Sequence, residues 1–199
     1  IMKNLQFPLQ FTFKISTLSN DFTVKDANGI TVSYIKQKMF KFIEDISVYN
    51  DDSKSEVYYK IKADRWLDFS AAYNMTDRFG KALGKIARKG WASIWKARYE
   101  IYDENNTQDL LIQEENPWVK VLDTLLCEIP LLGIVSGYFF NPAYIVTRPD
   151  GTPVARLSKE PSFWGRKFTV NTLSKFENGE EERLVLGLMM MILLERRRG

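Results

Sequence analysis

Apolar residues occupy every second position near the start of the chain, Leu5, Phe7, Leu9, Phe11, Phe13 and Ile15, with Gln6, Gln10, Thr12 and Lys14 between them. A period of two predicts a strand with one buried and one wetted face. Pro8 cannot donate to a ladder, so the reading places an edge strand or a bulge at the start of that run. Further along, a unit recurs in which a polar turn carrying Asp, Asn or Gly separates two apolar runs. Its clearest copies run from Phe22 to Val32 through Asp26-Ala27-Asn28-Gly29 and from Tyr144 to Val154 through Pro149-Asp150-Gly151. Looser copies run from Met75 to Leu83 and from Tyr99 to Ile112. Asn-Gly and Asp-Gly between apolar runs are hairpin signals. Four irregularly spaced hairpins predict a meandering antiparallel sheet, too uneven for a solenoid or a propeller.

Two segments depart from this rhythm. From Asn116-Pro117 to Leu132, Trp118, Val119, Val121, Leu122, Leu125, Leu126 and Ile129 recur at helical spacing, with Asn116 as N-cap, which predicts a surface helix inserted near 117–132. Near the end, Glu180-Glu181-Glu182-Arg183 precedes an apolar run from Leu184 to Leu194, broken only by Gly187 and followed by Glu195 and Arg196 to Arg198. Eleven residues at about 1.5 Å each fall short of the ~20 a bilayer crossing needs, so a helix without a polar face must be enclosed by protein. Acids at its start and arginines at its end complement the helix dipole. A sheet that must cover one face and close its edges can do both by wrapping this helix.

On these segments the chain resembles the tubby C-terminal-like superfamily, in particular its LURP-one-related and phospholipid-scramblase-like branches. The carriers are the turn units at Asp26 to Val32 and Asp77 to Leu83, the segment Arg98-Tyr99-Glu100-Ile101-Tyr102-Asp103, the run from Phe163 to Val170, and the closing helix. The resemblance covers nearly the whole chain. It implies a mainly β fold: one domain over 1–199, a closed antiparallel barrel of about twelve strands around the buried C-terminal helix. It also implies membrane association, since tubby-type domains bind phosphoinositides. The chain lacks the cysteine cluster that scramblases use for lipidation.

Composition narrows the chemistry. A single cysteine, Cys127, excludes an intramolecular disulfide and suits a reducing compartment, and two Asn-x-Thr triplets have no signal-peptide pattern beside them. The absence of histidine removes Ser-His-Asp and Cys-His catalysis and histidine-ligated zinc. Asp51-Asp52 and Glu180 to Glu182 read as a turn and a helix start rather than cation sites. Gly80-Lys81-Ala82-Leu83-Gly84-Lys85 lacks the Gly-Lys-Ser/Thr and following helix of a phosphate loop; Gly80 and Gly84 instead suit a turn and a bulge. No cofactor or metal is expected.

Charge is unevenly placed. From Arg78 to Arg98 seven basic residues, Arg78, Lys81, Lys85, Arg88, Lys89, Lys96 and Arg98, occur without an acid, leaving the rest of the chain at −4 against a total of +3. Trp91 and Trp95 lie among them. A single-sign hairpin concentrates positive potential where phosphate-bearing headgroups could bind, and tryptophans suit a membrane interface. The bland reading is a solvated barrel face over core tryptophans. The uncharged stretch from Leu131 to Phe140 is either a buried strand and turn or a membrane-touching or partner-binding loop.

The leading expectation is therefore a cytoplasmic, membrane-peripheral, non-enzymatic module that binds anionic phospholipid through the basic hairpin. The rival is a protein-interaction domain using Trp118 to Phe140. An enzyme would need two converging acids in a barrel mouth that the helix leaves open, and no nucleic-acid partner is expected.

Overall fold

The computed structural model describes residues 2, 4–13, 21–37, 45–51, 53–64, 72–88, 98–115, 143–160, 167–177 and 179–196. Twelve strands and one helix follow one another along these residues: β1 (Leu9–Phe13), β2 (Phe22–Lys25), β3 (Thr31–Gln37), β4 (Asp45–Tyr49), β5 (Val57–Ala63), β6 (Ala72–Asp77), β7 (Ala82–Arg88), β8 (Arg98–Tyr102), β9 (Gln108–Glu114), β10 (Ala143–Thr147), β11 (Pro153–Lys159), β12 (Lys167–Thr172) and α1 (Glu180–Arg196). Each strand pairs antiparallel with its sequence neighbours, and β1 pairs with β12 to close the barrel.

The period-two pattern becomes the wall. Leu9, Phe11 and Phe13 are buried while Gln10 is exposed, and the same inward set continues through Val24, Ile46, Ile61, Met75, Ile86, Ile101, Ile112 and Leu157. Pro8 lies just before the first paired residue of β1, and closure onto β12 leaves that strand without an edge. The expected edge or bulge is thus replaced by a strand that begins one residue later. The surface helix near 117–132, Cys127, Trp91, Trp95, and Phe163 to Arg166 lie outside the described residues.

The hairpins share one construction. In the β2–β3, β6–β7, β8–β9 and β10–β11 turns, the first residue's N–H donates to the fifth residue's carbonyl at 2.9–3.0 Å. Its own carbonyl accepts from the fourth residue, Gly29, Gly80, Asn106 or Gly151, each at positive φ. Asp26, Asp77 and Asp103 lock three of these turns, each Oδ1 accepting from the N–H groups two and four residues on. The fourth turn has Arg148 at that position and uses Asp150, whose Oδ1 accepts from Thr152 N–H. Together with the β4–β5 turn they form one rim of the barrel. Gly84 sits where the β6–β7 register shifts, as a bulge requires.

The helix enters through that rim. Leu184 to Leu193 are buried, and Gly187 among them serves as a seat: a Cβ there would lie 2.4 Å from Ile101 Cδ1. The helix therefore rests on the β7–β8 wall at closer range than a side chain would allow.

Candidate functional site

Glu180, Glu181 and Glu182 lie in the first turn of α1, where the helix dipole favours negative charge. Each also has its own partner. Glu180 receives Arg148 through two parallel bonds of 2.8 Å and accepts from Glu177 N–H, while Arg148 Nη2 donates to Lys175 O. Arg148 thus departs from the Asp of the other turns because its side chain secures the helix instead of its own loop. Its pKa is raised, chiefly by the bond to Glu180. Glu181 accepts from the N–H groups of Asn4 and Leu5, strapping the N-terminal segment across the rim. Glu182 accepts from Tyr59 Oη, which in turn accepts from Met2 N–H.

Beside this strap lies a cavity of about 810 Å³, lined among others by Leu5, Phe7, Leu173, Phe176, Glu181 and Glu182. Two acids do converge at the barrel mouth, but both carboxylates already accept hydrogen bonds from the protein, so neither is held free as a general base. The lumen beneath is filled by α1. No group of three or more Asp, Glu or Cys among the described residues could hold a metal ion.

At the opposite end of the helix Tyr99 donates to Glu195. Burial raises the pKa of Tyr99 and Tyr144, Glu195 adding to the shift; burial and the bond to Glu182 raise that of Tyr59, and burial that of Tyr73. A raised pKa means that the folded state holds the proton more tightly than the unfolded chain. This contribution is fully present below the ordinary tyrosine pKa of 10.0 and is lost as pH rises from there toward the folded values. The denaturation midpoint is expected to fall progressively above about pH 10, and Tyr99→Phe should blunt the decline. A midpoint that stays level to pH 12 would contradict the assignment of buried, protonated tyrosines.

The seven basic candidates do not share one face. Arg78 and Lys81 lie in the β6–β7 turn, where Arg78 pairs with Glu56 and stacks on the rings of Tyr58 and Phe79. Lys81 is exposed. Lys85 points outward on β7 with its Nζ 5.2 Å from the Tyr102 ring. Arg88 falls on the inward side with Ile86, its guanidinium 6.0 Å from the Tyr99 ring and its Nε buried without a hydrogen-bond partner among the described residues. Arg98 faces outward beside Glu100 at 3.4 Å. Lys89 and Lys96 lie outside the described residues.

Three lysines that the linear charge pattern did not single out complete a basic surface. Lys60 and Lys62 are exposed on β5 around buried Ile61, and Lys36 is exposed on β3. Register joins Lys36, Lys60 and Thr76 in one row across the buried Ser47 of β4, and Lys62, Asn74 and Lys85 in the next. With strands about 4.8 Å apart, lysines two strands apart lie roughly 10 Å from each other, near enough to act on one phosphorylated headgroup. None of these four lysines has an ion pair among the described residues, and the bordering acids are Asp45 opposite Lys62, Asp64 after β5, Glu56, engaged by Arg78, and Glu100 on β8, which accepts from Tyr102 and Arg98. The available signal was the Lys-Ile-Lys alternation, which marks two charges on one strand face.

A LURP-one-related family model matches residues 31–193. Neither a curated protein nor a solved structure matches the chain significantly.

Proposed function

Because the chain belongs to the LURP-one-related family, part of the tubby-like superfamily, we propose that it is a non-enzymatic binding module that associates with anionic membrane lipid. The contact is the outer face of β3–β7: Lys36, Lys60, Lys62 and Lys85, extended at the rim by Lys81. The observation that carries the reading is the two adjacent rows of outward lysines, without ion pairs among the described residues, interleaved with Thr76 and Asn74 as hydrogen-bonding groups. Such a surface offers charge and donors together to phosphoinositide-like headgroups. Within the original basic stretch, Lys81 and Lys85 contribute to this face. Arg78 and Arg98 are offset by Glu56 and Glu100, and Arg88 turns inward.

Cosedimentation with vesicles tests it. Binding to phosphatidylcholine vesicles containing phosphatidylserine or a phosphoinositide is expected, and neutral vesicles should leave the protein in solution. At about 1 kcal/mol per lysine near a charged surface, Lys60, Lys62, Lys81 and Lys85 changed together to Ala should weaken binding by roughly a thousandfold. Unchanged binding by that variant, or none by the parent, would sink the reading.

A further inference from the structure

Among the described residues, the large apolar side chains left exposed are Ile30, Phe79 and Leu173, and Phe79 is the most exposed at 81%. Single exposed apolar residues are common on proteins. Phe79 stands out on internal comparison. The four rim turns of matching construction have Asn28, Phe79, Asn105 and Asp150 at their third position, so one turn carries a phenyl ring where the other three carry a polar side chain. That turn also joins β6 to β7, the strands that bear Thr76, Asn74 and Lys85 of the basic face.

The tip is held ready. Asp77 Oδ1 accepts from Phe79 N–H and Lys81 N–H, both at 2.9 Å, and Gly80 closes the turn at φ +83°. Little backbone ordering remains to be supplied on contact. The Arg78 guanidinium lies 4.7 Å from the Phe79 ring centroid, and Lys81 follows two residues later. An aromatic ring flanked by two cations matches a bilayer's layering, in which phosphates overlie the acyl boundary.

We infer that Phe79 is a membrane wedge: when the lysine face lies on an anionic bilayer, the β6–β7 tip enters the interfacial layer with Arg78 and Lys81 at phosphate depth. The inference rests on the membrane docking proposed above and adds its orientation. It also assigns part of the affinity to apolar burial, which salt does not screen.

Two measurements on phosphatidylcholine/phosphatidylserine vesicles test it. Phe79→Ala, with an exposed side chain and an unchanged melting temperature, should bind about tenfold more weakly, since burying a phenyl ring contributes that much. The deficit should persist at high salt, where the lysine contribution shrinks. Phe79→Cys labelled with an environment-sensitive fluorophore, in a Cys127→Ser background that binds like the parent, should shift to the blue on vesicles and be quenched by spin labels near the acyl carbonyls. If the parent binds and the lysine variant does not, yet Phe79→Ala binds equally and the fluorophore stays water-like, the wedge is overturned while the docking face stands. If the parent ignores vesicles, or takes up soluble inositol phosphate alone, docking and wedge fall together.

Discussion

Gly84→Ala is expected to destabilise the barrel by about 3 kcal/mol or more, one of the two largest effects of any single substitution proposed for this chain. Gly84 adopts φ +140°, and a Cβ at this position would lie 2.1 Å from the backbone carbonyl oxygen of Tyr102 and 3.2 Å from Arg183 Cδ. The carbonyl belongs to the neighbouring strand and cannot rotate aside, so relief requires opening the β7–β8 ladder. Gly80→Ala provides the internal control. It too has positive φ, at +83°, but nothing lies within 4 Å of its added Cβ, leaving backbone strain of about 1–2 kcal/mol. Urea denaturation followed by circular dichroism should separate the two; equal losses would mean that the Tyr102 approach is not rigid.

The contrast between these glycines shows where sequence reasoning reaches. Both are assignable to a turn and a bulge from their strand-turn-strand context alone, because local geometry decides those roles. That a particular carbonyl faces Gly84 depends on register across β7 and β8, which no local pattern encodes. The same division runs through the fold. Alternation of Leu9, Phe11 and Phe13, the turn aspartates Asp26, Asp77 and Asp103, and the apolar run from Leu184 to Leu194 are periodic or local signals, and they sufficed for a barrel around a helix.

Long-range pairings were less accessible. The three acids at the start of α1 looked like dipole complements, which they are. Their separate partners, Arg148, the N–H groups of Asn4 and Leu5, and Tyr59, lie 32, 176 to 177 and 123 residues away along the chain. The deviation of the Arg148 turn from the Asp pattern was visible in the sequence, but its cause required the helix to be in place. The basic surface illustrates the opposite limit. A stretch of like charge reads as one patch in the sequence, whereas strand alternation sends Lys85 outward and Arg88 inward. Lys36, Lys60 and Lys62, distant in sequence, join Lys85 through pairing.

Arg183→Met should cost about 3 kcal/mol, because the carboxylates at the rim stay in place while the buried cation that pairs with them is removed. Arg183 is buried at the mouth of the barrel, its Nε donating to Asp109 at 2.6 Å and its Nη1 to Glu104 at 3.4 Å. It lies against Gly84 and Gly179: an added Cβ would meet its Cδ at 3.2 Å in the first case and its Nη1 at 2.6 Å in the second. Removing the guanidinium leaves Asp109 and Glu104 without this cation, and part of the loss should be recovered at high salt, which screens the exposed Glu104. Asp109→Asn in the Arg183→Met background should restore more than half of the lost stability, since the unpaired charge rather than the missing contact dominates the cost. The double-mutant cycle measures this directly as a coupling energy. A coupling near zero would show that Arg183 acts by packing between the two glycines, and Gly84→Ala and Arg183→Met would then be expected to share one cause.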